Sequence, residues 1–64
     1  MPIITVDMLA GRTDAQKRAL AKELTDAIVR TADAAPNTVT VLIRDVPTDH
    51  WAVAGQLISD RSPA

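Results

Sequence analysis

Two strand patterns separated by one helix pattern fill most of this 64-residue chain, and few folds fit such an arrangement. The first pattern, residues 2–9, is rich in β-branched residues and alternates between two faces. The second, residues 39–43, is an almost unbroken hydrophobic run. A strand, a helix and a second strand form a β-α-β unit, whose strands are parallel and whose crossover is right-handed. The sequence therefore predicts an α/β fold.

The helix pattern has a recognisable start and end. Thr13 and Gln16 have the spacing of a capping box, in which each side chain binds the other residue's backbone N–H. An apolar stripe at helical spacing follows, formed by Leu20, Leu24, Ala27, Ile28 and Thr31. The pattern ends near Ala32, ahead of Pro36, which cannot continue a helix. The charged residues of this segment, beginning with Lys17, are interpreted as an ordinary solvated surface.

A β-α-β unit of this size has one sheet face that its own chain cannot cover. Parallel sheets are normally covered on both faces, and a single helix covers only one. Two strands also leave open edges. A chain of this length buries only about 60% of its unfolded surface, and it has no cysteine with which to form a disulfide. Self-association would bury the second face, so we predict a homo-oligomer.

The rest of the chain gives shorter patterns. Pro47, Thr48 and Asp49 predict a turn. Residues 51–55 predict a short strand or one arm of a hairpin. Residues 59–64 are expected to form a loose tail. We predict that the whole chain, residues 1–64, is a single domain.

Composition argues against several classes of function. A net charge of −1 leaves no basic face for nucleic-acid phosphates, and the single aromatic residue, Trp51, argues against base stacking. One histidine and no cysteine are too few for a metal site, and His50 is expected to be a turn or interface residue. No apolar run approaches the roughly 20 residues of a membrane span, and no signal-peptide pattern is present. We therefore expect a cytoplasmic protein that binds no metal, membrane or nucleic acid.

Pro2 is the residue whose chemistry depends most on processing. Methionine aminopeptidase removes an initiator methionine when the next side chain is small, as that of proline is. Removal of Met1 converts the Pro2 nitrogen from a tertiary amide, which is not basic, into a free secondary amine. An apolar pocket and a nearby Arg12 would lower the pKa of that amine towards the working pH, where a general base is most effective. Pro2 is therefore a candidate base, with a disordered start of the chain or an ordinary edge-strand proline as the alternatives.

Several segments of the chain, taken together, resemble the 4-oxalocrotonate tautomerase family. They are Pro2-Ile3, residues 9–17 (Leu-Ala-Gly-Arg-Thr-Asp-Ala-Gln-Lys), the hydrophobic second strand, and residues 50–55 (His-Trp-Ala-Val-Ala-Gly). The similarity covers nearly the whole chain. It implies a β-α-β fold with a small C-terminal hairpin, assembled mostly as a hexamer that is a trimer of dimers. Such an assembly would cover the open sheet face.

The resemblance also implies a reaction and the residues that carry it out. The N-terminal proline, here Pro2, takes a proton from an enol hydroxyl and returns it to a distant carbon, without a cofactor. Arg12 matches the arginine that binds a substrate carboxylate, and the backbone carbonyl of Leu9 matches a group that holds the substrate or an ordered water. Trp51 matches an aromatic pocket wall, although it could instead fill the core or an interface. The implied substrates are 2-hydroxydienoates and enolpyruvate-type acids.

One position departs from the family pattern. Well-studied members have a second carboxylate-binding arginine in the second strand, where this chain has Thr40. Arg44 lies on the same strand face as Thr40, but about 13 Å further along the strand. The residues leave three hypotheses open: a tautomerase of small acids, a hydratase or dehalogenase that uses a cationic Pro2 as an acid, or a non-catalytic oligomeric scaffold that binds small acids.

Overall fold

The first strand and the helix lie close to where the sequence predicts them. In the computed structural model, which describes residues 1–61, β1 spans Ile3–Leu9 and α1 spans Asp14–Ala32. The capping box is formed. The backbone N–H of Gln16 donates to the Thr13 hydroxyl at 3.1 Å, and the backbone N–H of Thr13 donates to the Gln16 side-chain oxygen at 2.9 Å. The predicted start and end of the helix are thus confirmed.

The second strand is longer than its hydrophobic run predicts. β2 spans Thr40–Val46 and pairs in parallel with β1 along all seven residues. The prediction stopped before Arg44 and Asp45, because these residues interrupt the apolar run. Both side chains have partners in the structure: Arg44 lies 3.8 Å from Asp7 on β1, and Asp45 pairs with Lys17 on α1. The parallel β-α-β unit is confirmed.

A short hairpin follows the β-α-β unit. Its strands, β3 at Ala52–Val53 and β4 at Gln56–Leu57, pair antiparallel, which confirms the predicted hairpin arm. The loop between them consists of Ala54 and Gly55, whose φ angles are 54° and 81°. Positive φ at both loop residues is what a type I′ turn requires, and this turn matches the twist of a two-residue hairpin.

Single turns of 3₁₀ helix connect or end the other elements in the described part of the chain. They span Pro36–Thr38, Thr48–His50 and Ile58–Asp60. The second overlaps the turn predicted at Pro47, Thr48 and Asp49 and begins one residue after Pro47. The third occupies the start of the segment predicted as a loose tail, residues 59–64, whose last three residues lie outside the described part.

The helix α1 covers one face of the sheet and leaves the other open. Ile4, Val6 and Met8 alternate onto the helix side and are half-buried. On the opposite face, which we call the open face, Ile3 and Leu42 are 66% and 45% exposed. No residue in the described part of the chain is fully buried, so a single chain has no closed core.

The isolated chain is too extended for a compact monomer. Its radius of gyration is 15.1 Å and its dimensions are 44 × 24 × 15 Å, whereas a compact domain of this length has a radius of gyration of about 11 Å. Its accessible surface is 4846 Å², against about 4,000 Å² for a compact monomer of this mass. The chain is therefore a protomer of an oligomer, as the open face predicts.

Candidate active site

Pro2 is held at the head of β1 by a backbone hydrogen bond. The N–H of Thr40 donates to the Pro2 carbonyl at 3.0 Å, and Pro2 is half-buried. Its neighbours along and across the sheet, Ile3 and Thr40, carry no charge. Met1 is 94% exposed, so the bond between Met1 and Pro2 is open to an aminopeptidase. Cleavage would leave the new amine at a fixed place on the sheet edge.

Arg12 lies in the loop that joins β1 to α1. The Ala10 N–H donates to the Val46 carbonyl at 2.9 Å, and the capping box fixes Thr13, so both ends of the loop are anchored. Gly11 has a φ of +125°, which residues with a side chain rarely adopt. The Arg12 side chain is exposed and forms no ion pair with any residue of the described chain. Its guanidinium is therefore available for an anion.

A pocket of about 220 Å³, which we call the Arg12 pocket, opens between α1 and the end of β1. Its lining residues are Met8, Arg12, Gln16, Lys17 and Leu20. Met8 and Leu20 supply half-buried apolar walls, while Arg12 and Lys17 supply positive charge. Such a pocket can hold a small acid, with the carboxylate against Arg12 and the apolar part against the methionine and leucine side chains.

Lys17 is already bound to an anion, because its ammonium group donates a hydrogen bond to the Asp45 carboxylate. This hydrogen bond raises the pKa of Lys17 above its ordinary value of 10.5; desolvation opposes the shift, and the charges of Asp45 and Asp14 add to it. Lys17 is thus cationic at neutral pH. The interpretation of the helix charges as ordinary solvated surface is wrong for Lys17. The sequence did contain a signal for this ion pair. Asp45 continues the alternation of Val41 and Ile43, so it lies on the side of β2 that faces the helix and its cations.

A single chain brings only part of the predicted site together. β1 is seven residues long, so its ends lie about 20 Å apart at about 3.3 Å per residue. Pro2 precedes one end, whereas Leu9 and Arg12 lie at or beyond the other. Trp51 comes after β2 has reached that same distant edge. Within one chain, Arg12 is therefore too far from Pro2 to act on its amine.

The remaining candidate residues occupy the hairpin region and the open face. Trp51 is half-buried, and its carbonyl accepts a hydrogen bond from the Ile58 N–H at 2.8 Å, which closes the base of the hairpin. His50 is exposed at the end of a 3₁₀ turn, 3.9 Å from Asp49. Thr40 is exposed and presents a hydroxyl rather than a charge beside Pro2.

Two kinds of feature are absent from residues 1–61. No three His, Cys, Asp or Glu side chains there are grouped as a metal ion would require. No helix there is both long enough and apolar enough to cross a membrane.

Comparison with known proteins identifies a family. The family model for tautomerase enzymes matches residues 2–61. The chain is 47% identical over 60 residues to a 2-hydroxymuconate tautomerase of Bacillus subtilis, and the match covers 94% of this chain and 97% of the relative.

Solved structures agree with the sequence comparison. The crystal structure of YwhB, a homologue of 4-oxalocrotonate tautomerase, gives a TM-score of 0.92 at 44% identity, over 95% of this chain and 100% of that one. A heterohexameric 4-oxalocrotonate tautomerase from Chloroflexus aurantiacus gives a TM-score of 0.88 at 33% identity, over 94% of this chain and 97% of that one. These matches confirm the resemblance seen in the sequence. The chain belongs to the 4-oxalocrotonate tautomerase family and is an isomerase of that type.

Proposed function

We propose that the chain, once Met1 is removed, is a cofactor-free tautomerase of small acids that uses the Pro2 amine as its general base. The observation that carries this proposal is the placement of Pro2, whose carbonyl is bonded to the Thr40 N–H and whose neighbours in the sheet are uncharged. Uncharged, partly apolar surroundings favour the neutral amine, which is the form that accepts a proton. The proposed substrates are 2-hydroxydienoates and enolpyruvate-type acids.

The proposed reaction moves one proton within the substrate. The Pro2 nitrogen accepts the enol proton, the oxygen electrons form a carbonyl, and the π electrons shift to the distal carbon. That carbon then takes the proton from the Pro2 ammonium, so nothing is consumed. Arg12 pairs with the substrate carboxylate, the Leu9 carbonyl holds the substrate or an ordered water, and Trp51 supplies an apolar wall.

The proposed site is formed between protomers. A neighbour that runs antiparallel would bring the far edge of its own sheet, with its copies of Leu9 and Arg12, beside Pro2 of the first chain. We propose that the neighbours form a homohexamer, a trimer of dimers in the cytoplasm; the heterohexameric relative supports this number of chains. The same assembly would cover Ile3 and Leu42 on the open face.

The preferred substrate is expected to carry one carboxylate. Arg12 has no ion-pair partner in the described chain, Thr40 offers only a hydroxyl, and Arg44 is already 3.8 Å from Asp7. We therefore expect a higher kcat/KM for phenylenolpyruvate than for 2-hydroxymuconate. Steady-state assays of both enols on the same preparation measure the ratio, and a preference for the dicarboxylate would contradict this charge assignment.

The alternatives predict different states of the N-terminus. Nitrogen-15 NMR of Pro2 that finds a protonated amine at neutral pH would favour hydration or dehalogenation of unsaturated acids, with the proline as an acid. A chain that retains Met1 has no such amine and would be a small-acid binding scaffold. Intact mass is the first test, because loss of one methionine is required for either enzyme mechanism.

Replacement of Arg12 by glutamine is expected to weaken the binding of carboxylate substrates. A hydrogen bond to a charged group contributes about 1.5–3 kcal/mol, so kcat/KM should fall about 10–150-fold, mainly through KM. Arg18→Gln is the matched control, because Arg18 is exposed on α1 and does not line the Arg12 pocket. Unchanged kcat and KM in Arg12→Gln would remove this residue from the site.

A further inference from the structure

The Arg12 pocket contains a second cation whose charge is matched by an anion. Lys17 lines the pocket together with Arg12, and its ammonium group is bonded to Asp45. The two side chains of this pair are 28% and 37% exposed, so the pair is partly shielded from water. The other lysine–aspartate pair on α1, Lys22 with Asp26, is 75% and 47% exposed and lies outside the pocket. Position and shielding thus distinguish the first pair from an ordinary surface pair.

Asp45 does not line the Arg12 pocket, but it contacts Lys17, which does. In the parallel register it lies opposite Met8, which lines the pocket, and strand alternation puts both side chains on the helix-facing side. The Lys17–Asp45 pair therefore joins the start of α1 to the end of β2. The loop that carries Arg12 begins at Ala10, which is itself bonded to the end of β2. Both sides of this loop are thereby held to the same strand.

We infer that the Lys17–Asp45 ion pair keeps Arg12 free for a substrate carboxylate and limits the Arg12 pocket to one negatively charged group. The inference rests on the proposed function for the nature of the ligand, a small acid. Without Lys17, the Asp45 carboxylate has no cation partner and competes for the Arg12 guanidinium. Without the charge of Asp45, Lys17 becomes a second available cation and can bind a second carboxylate. Lys17 and Asp45 are thus positioning residues that act through Arg12.

Lys17→Met and Asp45→Asn are expected to change anion binding in opposite directions. Methionine keeps the apolar stem of lysine, and asparagine keeps the shape of aspartate, so each variant removes little besides a charge. The probes are 3-phenylpropionate, with one carboxylate, and adipate, with two. We expect Lys17→Met to raise the Kd of both probes about fivefold and Asp45→Asn to lower the Kd of adipate about fivefold. A change of about fivefold in Kd is what the gain or loss of one partly exposed ion pair produces.

The binding measurement does not depend on turnover. After removal of Met1, Met8 is the sole methionine of the wild-type chain, and it lines the Arg12 pocket. Carbon-13 NMR of its labelled methyl group therefore reports binding directly. In the variants that introduce a methionine, the Met8 methyl signal is identified by comparison with the wild-type spectrum. Lys22→Met and Asp26→Asn are the matched controls and should leave both Kd values unchanged. The double variant Lys17→Met/Asp45→Asn should restore the wild-type preference between the two probes.

An ion pair that only stabilises the fold predicts a different outcome. Both single variants would then weaken binding, in parallel with a lower Tm, and shifts of the same sign would overturn the inference. A wild-type protein whose Met8 signal responds to neither probe would overturn it as well. Failure of the proposed function gives a different result. The protein would then bind 3-phenylpropionate in a way that depends on Arg12, but it would tautomerise no enol acid.

Discussion

A chain that keeps Met1 is expected to tautomerise phenylenolpyruvate about 10²–10⁴-fold more slowly than the processed chain, the range that a positioned general base contributes. With Met1 attached, the Pro2 nitrogen is an amide whose lone pair is delocalised into the carbonyl, so it cannot accept the enol proton. Insertion of one lysine between Met1 and Pro2 produces this state, because the aminopeptidase does not act before a large side chain. Intact mass verifies each N-terminus, and kcat measures the effect.

The Pro2→Ala variant is expected to have an activity between that of the processed chain and that of the blocked chain, in which the Pro2 nitrogen is acylated. After processing it keeps a primary amine at the same position, so we expect most activity to be lost, but less than when the nitrogen is acylated. Circular dichroism and sedimentation should be unchanged in both proteins, because β1 begins after Pro2 and the backbone bond from Thr40 is retained. A blocked chain that is as active as the processed one would assign the base to another residue.

Leu42→Glu is expected to dissociate the oligomer and to unfold the chain at concentrations where the wild type is folded. Leu42 lies on the open face and is 45% exposed in the single chain. An unpaired charge buried there by a partner costs several kcal/mol. Since no described residue is fully buried within one chain, loss of the partner also removes the core. Sedimentation and circular dichroism at the same concentration measure both losses.

The matched control for Leu42→Glu is Ala19→Glu. Ala19 is exposed on α1, so the same charge placed there should change the free energy of unfolding by no more than about 0.5 kcal/mol. The Tm of the wild type should also rise with protein concentration, because assembly is linked to folding. A folded Leu42→Glu protein that keeps the oligomeric state of the wild type would show that the open face is not an interface.

Most of the fold could be predicted because its signals are local in sequence. The capping residues Thr13 and Gln16 are three positions apart, and the hairpin loop lies between adjacent strands. The end of β2 could not be predicted in this way, because Asp45 finds its partner 28 positions away, on the helix. That contact makes a charged residue compatible with the helix-facing side of a strand, which no short window of sequence reveals.

The residues of the candidate site could be predicted from the sequence, but their arrangement in space could not. Pro2 stands out because of its terminal position, and Arg12 because of the loop and helix start around it. Seven residues of strand separate them, so the chain cannot bring them together by folding alone. Whether they meet depends on how a second copy is oriented, and the sequence pattern carries no direct record of that orientation. For the same reason, the roles of Leu9 and Trp51 remain part of the proposal.

The length of β1 also bears on how proteins of this design can diverge. Where each catalytic centre takes its base from one copy and its anion-binding arginine from another, the products of two duplicated genes can each supply one of these two residues. One product can lose the arginine and the other the proline, while mixed assemblies still contain complete centres. Each paralogue then depends on the other for survival. Because the seven residues of β1 separate the proline from the arginine within one chain, a homo-oligomer of this design can evolve into a hetero-oligomer whose two subunits require each other.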